Sequence, residues 1–183
     1  MWLQHAIDAR HYPKLTHVGS LGAFLNPDSR ALLSLNPSKF LGTLKAHWDE
    51  YQHEAFSIHG ELRNCEIMCR SGQFLPLHTT FLPTCQILGR LRKLGVPESK
   101  TAVLHLPDGE LDDALLRQWR FLEDFGACSK PNLRFYQLAL EQMESLKETP
   151  VSQAKSLYRS MAQLATVEDH ANLRYVMSPL LFV

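Results

Sequence analysis

The sequence predicts a helix-rich α+β fold: a small β-hairpin or sheet joined to a C-terminal helical bundle. Three observations carry this. Apolar residues recur at helical spacing in several stretches, most densely after residue 110. Two short apolar runs, Cys65–Cys69 and Gln73–Leu77, flank the turn signal Arg70-Ser71-Gly72, the pattern of a hairpin. The run TAVLHL, Thr101–Leu106, is β-prone and is expected to join that hairpin.

Taken in order, residues 1–10 can form one short helix. The segment that follows carries Pro13, Gly19, Gly22 and Pro27 and reads as loop with short structured pieces. Residues 1–35 are therefore expected to be an irregular N-terminal segment, and 36–183 a single α+β module. Asn36-Pro37 opens the first strong helix, because Asn caps well and Pro suits the first helical position. Phe40, Leu41, Leu44, Trp48 and Tyr51 then share a stripe. Pro76 is expected to put the second hairpin strand at an edge or to end it. Thr84–Leu94 reads as helix, stopped by Gly95 and then Pro97. Pro107-Asp108-Gly109 turns the chain. Leu111, Leu115, Trp119 and Leu122 mark a helix ended by Gly126. Leu133, Tyr136, Leu140, Met143 and Leu146 mark the next, and Thr149-Pro150 opens a third. Thr166–Asp169 resembles a capping box for a last short helix before Ser178-Pro179. The chain ends on Leu180–Val183, four apolar residues that read as half a strand, so the module is expected to be truncated at its C-terminus.

Composition excludes some classes. The 183 residues hold 19 Lys+Arg and 19 Asp+Glu, so no net field draws in nucleic acid or an anionic membrane. No run approaches the ~18 apolar residues of a membrane span. Four cysteines are too sparse for a disulfide scaffold, which points to an intracellular chain, cytoplasmic or nuclear, with reduced thiols.

Cys65, Cys69, His78 and Cys85 are the candidate metal set. On a strand, Cys65, Ile67 and Cys69 share a face, but the two thiols lie ~13 Å apart along the chain. A tetrahedral zinc needs its sulfurs ~4 Å apart, and a disulfide needs Cα atoms within ~7 Å. Strand spacing therefore favours core cysteines and no metal. A helix over 61–69 would instead bring both thiols to one face, and His78 and Cys85 could complete a zinc site. Gly60, Asn64 and Gly72 argue against that helix.

Other motifs are weak. Gly19–Gly22 matches neither a phosphate loop nor a dinucleotide fingerprint, and no G-x-S-x-G elbow exposes a serine. Asp112-Asp113 and Glu123-Asp124 are neighbours that point apart on a helix, so they read as solvated faces and caps. His105, between Leu104 and Leu106, reads as a core or edge histidine. Trp48, Trp119 and Tyr136 lie on apolar stripes and read as core. Arg90, Arg92 and Lys93 are the densest basic patch and the only candidate for nucleic-acid contact, which charge balance disfavours. No catalytic residue and no cofactor is expected.

The stretch EIMCRSGQFLPLHTTFLPT, and further on LHLPDGELDDALLRQWRFLEDFGACSKPNLRFYQLAL, resemble a region of very large fungal proteins. Those proteins carry a histidine-kinase-like ATPase domain and are similar to sacsin and to plant NO VEIN-like proteins. The resemblance covers roughly 37–183. It implies no ATP-binding residue here, since the Asn-bearing helix and Gly-rich lid of that domain have no match. It implies a downstream scaffold or chaperone-like interaction module. The expected function is thus a non-catalytic scaffold or protein-interaction module from a larger chain, meeting its partner or the rest of that chain through Leu180–Val183. The alternative is a zinc-stabilised domain using Cys65, Cys69, His78 and Cys85.

Overall fold

Two Asn-Pro pairs start the first two described helices. In the computed structural model, which describes residues 15–17, 23–107, 113–145 and 151–164, α1 spans Pro27–Leu35 and α2 spans Pro37–Ala46. The Asn26 side chain accepts from the Ser29 N–H at 2.8 Å, and Asn36 does the same for Lys39 at 3.0 Å. Each cap satisfies one of the first-turn amides that a helix leaves unpaired. A short hairpin, β1 (Leu15–His17) with β2 (Ala23–Leu25), precedes them in antiparallel register. The stretch that the sequence reads as loop with short pieces therefore also holds a nine-residue helix. The expected helix at residues 1–10 lies outside the described residues, as do Asp108 and Gly109 of the expected turn, the helix at 166–177 and Leu180–Val183.

The helix expected from Pro37 to Tyr51 breaks at His47, whose N–H bonds back to Leu44. It resumes as α3 (Trp48–Tyr51), and a 3₁₀ turn at Gln52–Glu54 leads into α4 (Ala55–Arg63). Helix α4 buries Ile58 and Leu62.

β3 (Glu66–Met68) and β4 (Phe74–Pro76) form the expected hairpin, pairing Ile67 with Leu75. Gly72 holds φ +78 in its turn, a left-handed backbone that costs glycine least. Strand β4 ends at Pro76, which sits opposite Glu66 on the outer edge of the hairpin, and Leu77 still donates to the Cys65 carbonyl at 2.9 Å.

Three further segments extend this hairpin through isolated bridges. Leu104 pairs with Cys69, and Val103 and Cys128 each pair with Phe81. Six backbone bonds bind the strip. Arg70 donates to Val103, His105 to Met68, Phe81 to Ala102, Leu104 to Phe81, Leu82 to Cys128 and Cys128 to Thr80, at 2.7–3.0 Å. The β-prone run does join the hairpin, as the sequence suggested.

Side chains alternate across this strip. Ile67, Leu82, Leu104 and Ala127 enter one core, with Phe40, Leu44, Ile58, Trp119 and Phe125. Phe81, Val103 and, partly buried, Leu75 and Cys128 enter a second core, with Leu91, Phe135, Tyr136 and Leu157. Chain neighbours such as Phe81/Leu82 and Val103/Leu104 thus serve opposite cores, as strand geometry requires. Helices α1, α2 and α4 cover the first face. Helices α5 (Cys85–Leu94), α7 (Leu133–Ser145) and α8 (Val151–Leu164) cover the second.

Helix α6 (Asp113–Gln118) runs into a 3₁₀ segment, Arg120–Phe125, which packs with α4 on the first face. Trp119 and Leu122 of the expected stripe are buried with Leu116 and Phe125, whereas Leu115 is half-buried and Leu111 lies outside the described residues. The helix tightens after Trp119, so the expected single helix is two elements. Trp48 stacks on Phe121 with centroids 4.6 Å apart. Among the described residues no helix is long and apolar enough to cross a membrane.

Two glycines separate backbone need from mere presence. Gly126 has φ +98, and a Cβ built there would stand 2.8 Å from the His78 Cβ. Gly42 is mid-helix with nothing within 4 Å of such a Cβ. Gly126→Ala is therefore expected to lose more than about 1 kcal/mol. Gly42→Ala is expected to gain roughly 0.5–1 kcal/mol through helix propensity. Urea unfolding of the two variants checks the opposite signs.

Candidate functional site

The thiols and His78 are set by the strip. Cys69 is buried and Cys65 half-buried at the two ends of β3, and both are thiols, as are Cys85 and Cys128. Burial pushes the Cys65 thiol up to about 12, opposed only by a bond from its own backbone. Burial alone pushes Cys69 up to about 11. Cys128 is raised too, chiefly by burial, against Arg134 and an Asn132 amide 3.1 Å from its sulfur. His78 is half-buried, with Nδ1 2.9 Å from the Arg63 carbonyl oxygen. Among the described residues no three His, Cys, Asp or Glu side chains gather as a metal group.

Cys85 departs from the expectation of a buried core thiol: it is exposed. It is the first residue of α5, where the chain has just left the strip and turns outward. Thr84 caps that helix. Its hydroxyl accepts from the Ile87 N–H at 3.2 Å and donates to the Ser129 carbonyl at 2.7 Å. The second bond ties the helix start to the segment after Cys128, 45 residues on.

A cleft opens at this junction. One cavity of about 460 Å³ is lined by Thr84, Cys85, Gln86, Ser129 and Lys130, and on its far side by Leu116, Arg117 and Arg120 from α6 and the 3₁₀ segment. A second, of about 590 Å³, shares Cys85, Gln86 and Lys130 and continues along α5 past Arg90 and Lys93 to Gln163 and Leu164 of α8. Two of its walls are locked together. Arg90 donates from Nε to the Tyr136 hydroxyl at 2.8 Å and from Nη2 to Ser160 Oγ at 3.0 Å, joining α5, α7 and α8.

Every charged side chain among the described lining residues of these two cavities is cationic: Arg90, Lys93, Arg117, Arg120 and Lys130. The whole chain is neutral, so charge is segregated rather than in excess. Carboxylates begin in the adjoining cavity, where Asp49, Glu50 and Asp124 share the lining with Lys45, Arg117 and Arg120. Glu123 Oε1 lies 3.5 Å from Arg120 Nε. The first-turn amides of α5 add partial positive charge at the same end.

The sequence singled out Cys85 as a core thiol, with a zinc set as the alternative, and Arg90, Arg92 and Lys93 as a basic patch whose nucleic-acid role charge balance disfavours. Arg92, the third member of that basic patch, is exposed and lines neither cavity. Arg117, Arg120 and Lys130 were missed, because they are single basic residues spread over neighbouring elements. His105 is exposed with its backbone in the strip, Glu123 and Asp124 are exposed, and Trp119 and Tyr136 are core, as their spacing indicated. Comparison of the chain with protein-family models, with curated proteins and with solved structures finds no match.

The thiols yield a pH prediction. A raised thiol pKa favours the neutral form in the fold, so its contribution is complete below the ordinary value of 9.0 and is lost as pH climbs towards about 11 and 12. The urea midpoint is expected to fall above pH ~9, and less steeply in Cys65→Ala. At neutral pH a disulfide reagent is expected to modify Cys85 quickly and Cys65 and Cys69 only on unfolding.

Proposed function

We propose that this chain is a non-catalytic interaction module that holds an anionic segment of a protein partner in the cleft at the start of α5. The observation that carries the reading is the segregation of charge: five cations and no carboxylate among the described lining residues of two joined cavities, in a chain of zero net charge. Charge arranged in this way steers and orients an oppositely charged partner. The lining offers cations, a thiol and hydroxyls, groups that can hold an anion by charge and hydrogen bonds.

The resemblance to large sacsin-like and NO VEIN-like proteins supports placing the module within a longer chaperone-like chain. The reduced thiols support an intracellular setting, cytoplasmic or nuclear.

Labelled oligoglutamate is expected to bind and oligolysine to fail, with affinity falling as salt screens the cleft. Arg117→Glu combined with Lys130→Glu is expected to weaken oligoglutamate binding at least about tenfold, since both are exposed and their loss leaves the cores intact. Fluorescence anisotropy reads both. Equal binding of the two oligomers, or an unaffected double variant with an unchanged melt, would contradict the reading.

A further inference from the structure

We infer that the group the cleft selects is a phosphate monoester carried on the partner's segment, seated in the cavity between α5 and α6, with flanking residues running along α5. The inference rests on the binding reading above and specifies its ligand.

The first observation is the shape of the charge. Arg117, Arg120 and Lys130 converge on one cavity from different elements, α6, the 3₁₀ segment and the strand-to-helix connection before α7. A compact dianion with three strong acceptor oxygens can engage cations arriving from several sides at once. A carboxylate has one charge and two oxygens. Arginine forks add bidentate geometry that suits phosphate. Arg120 shares its guanidinium with Glu123, at 3.5 Å and exposed, a contact weak enough to exchange for a dianion.

The second observation is confinement. Beyond the purely cationic lining, the adjoining cavity that shares Arg117 and Arg120 mixes signs, with Asp49, Glu50 and Asp124 beside Lys45. A polyanion that ran on through the cleft would meet these carboxylates, whereas a single phosphate would not. The aromatic ring nearest the path, Tyr136, is 3% exposed and engaged by Arg90, so it offers no stacking platform for bases. Both features favour a phosphoprotein segment over a nucleic acid.

The second cavity suits the flanking residues. It leads from Lys130 past Lys93 to Gln163 and to Leu164, which is 45% exposed. A segment with an acidic or apolar residue after the phosphate fits that order.

The test is an NMR titration of the whole chain with three peptides identical except for phosphoserine, glutamate or serine at one central position. The phosphoserine peptide is expected to shift the amides of Gln86, Ser129 and Lys130 and to bind at least about tenfold tighter than the glutamate peptide. Lys130→Ala and Arg117→Ala are each expected to weaken it at least about fivefold, while Arg92→Ala, exposed and outside both cavities, leaves it unchanged. Equal binding of the phosphoserine and glutamate peptides overturns the phosphate assignment and leaves the interaction reading standing. No shift with either peptide or with oligoglutamate overturns both. A single-stranded oligonucleotide that binds the same amides more tightly than the phosphopeptide overturns the assignment in favour of nucleic acid. Shifts confined to other surfaces overturn the site.

Discussion

The structure depends on a strip of backbone hydrogen bonds only a few residues wide. Residues 66–69, 102–105, 80–82 and 128 lie side by side, and each contributes to the strip bonds that its neighbours need. A buried backbone N–H or C=O without a partner costs about 1–3 kcal/mol, so these bonds cannot be dropped singly without penalty. Because alternate side chains leave the strip on opposite faces, the same bonds also decide which apolar residue enters which core. Moving the 102–105 segment by one residue would send Leu104 to the second core and Val103 to the first, exchanging residues fitted to different neighbours. The two sets of helices are therefore held in relation to each other by a feature smaller than any one of them.

The cleft follows from this arrangement. Its walls come from both layers: α5 and α8 from the second core, α6 and the 3₁₀ segment from the first. Its floor is where Leu82 and Cys128 leave the strip, and the Thr84 hydroxyl bonded to the Ser129 carbonyl fixes the two departing chains side by side. Cations placed at such a seam are spaced by backbone geometry, with Arg90 further held by Tyr136 and Ser160. Holding Arg90 in this way reduces the ordering cost of any contact it makes in the cleft. Electrostatics then act locally, since at physiological salt charges farther apart than about 8 Å are largely screened. A neutral chain can hold an effective cationic cleft on those terms.

Much of the fold was legible in the sequence where a local signal and a tertiary role agree. Asn36-Pro37, Thr84 with Gly95, and Arg70-Ser71-Gly72 each name an element boundary by chemistry that the structure uses. Asn26-Pro27 carries the same signal as Asn36-Pro37, and α1 was hidden by the glycines and prolines before it. Helix α4 shows only Ile58 and Leu62 on its buried face, and Gly60 between them lowers its propensity, so its stability comes from packing. The breaks at His47 and after Trp119 follow from packing: stacking Trp48 on Phe121 brings the two interrupted stripes together, which periodicity cannot show. The candidate site was legible only in pieces. Arg117, Arg120 and Lys130 are adjacent because the strip places Ser129 beside Thr84, a contact between distant residues that has no counterpart in local sequence.

The most direct test of this account is native-state hydrogen exchange on the amides of the strip, read residue by residue at low denaturant. The account predicts that Phe81, Leu104 and Cys128 exchange only with global unfolding, at the same free energy as the most protected amides of α2 and α7. Exchange of those three at markedly lower free energy, with either helical layer still protected, would contradict it. The layers would then be stable without the strip, and the cleft between them would lack the frame that positions its charges.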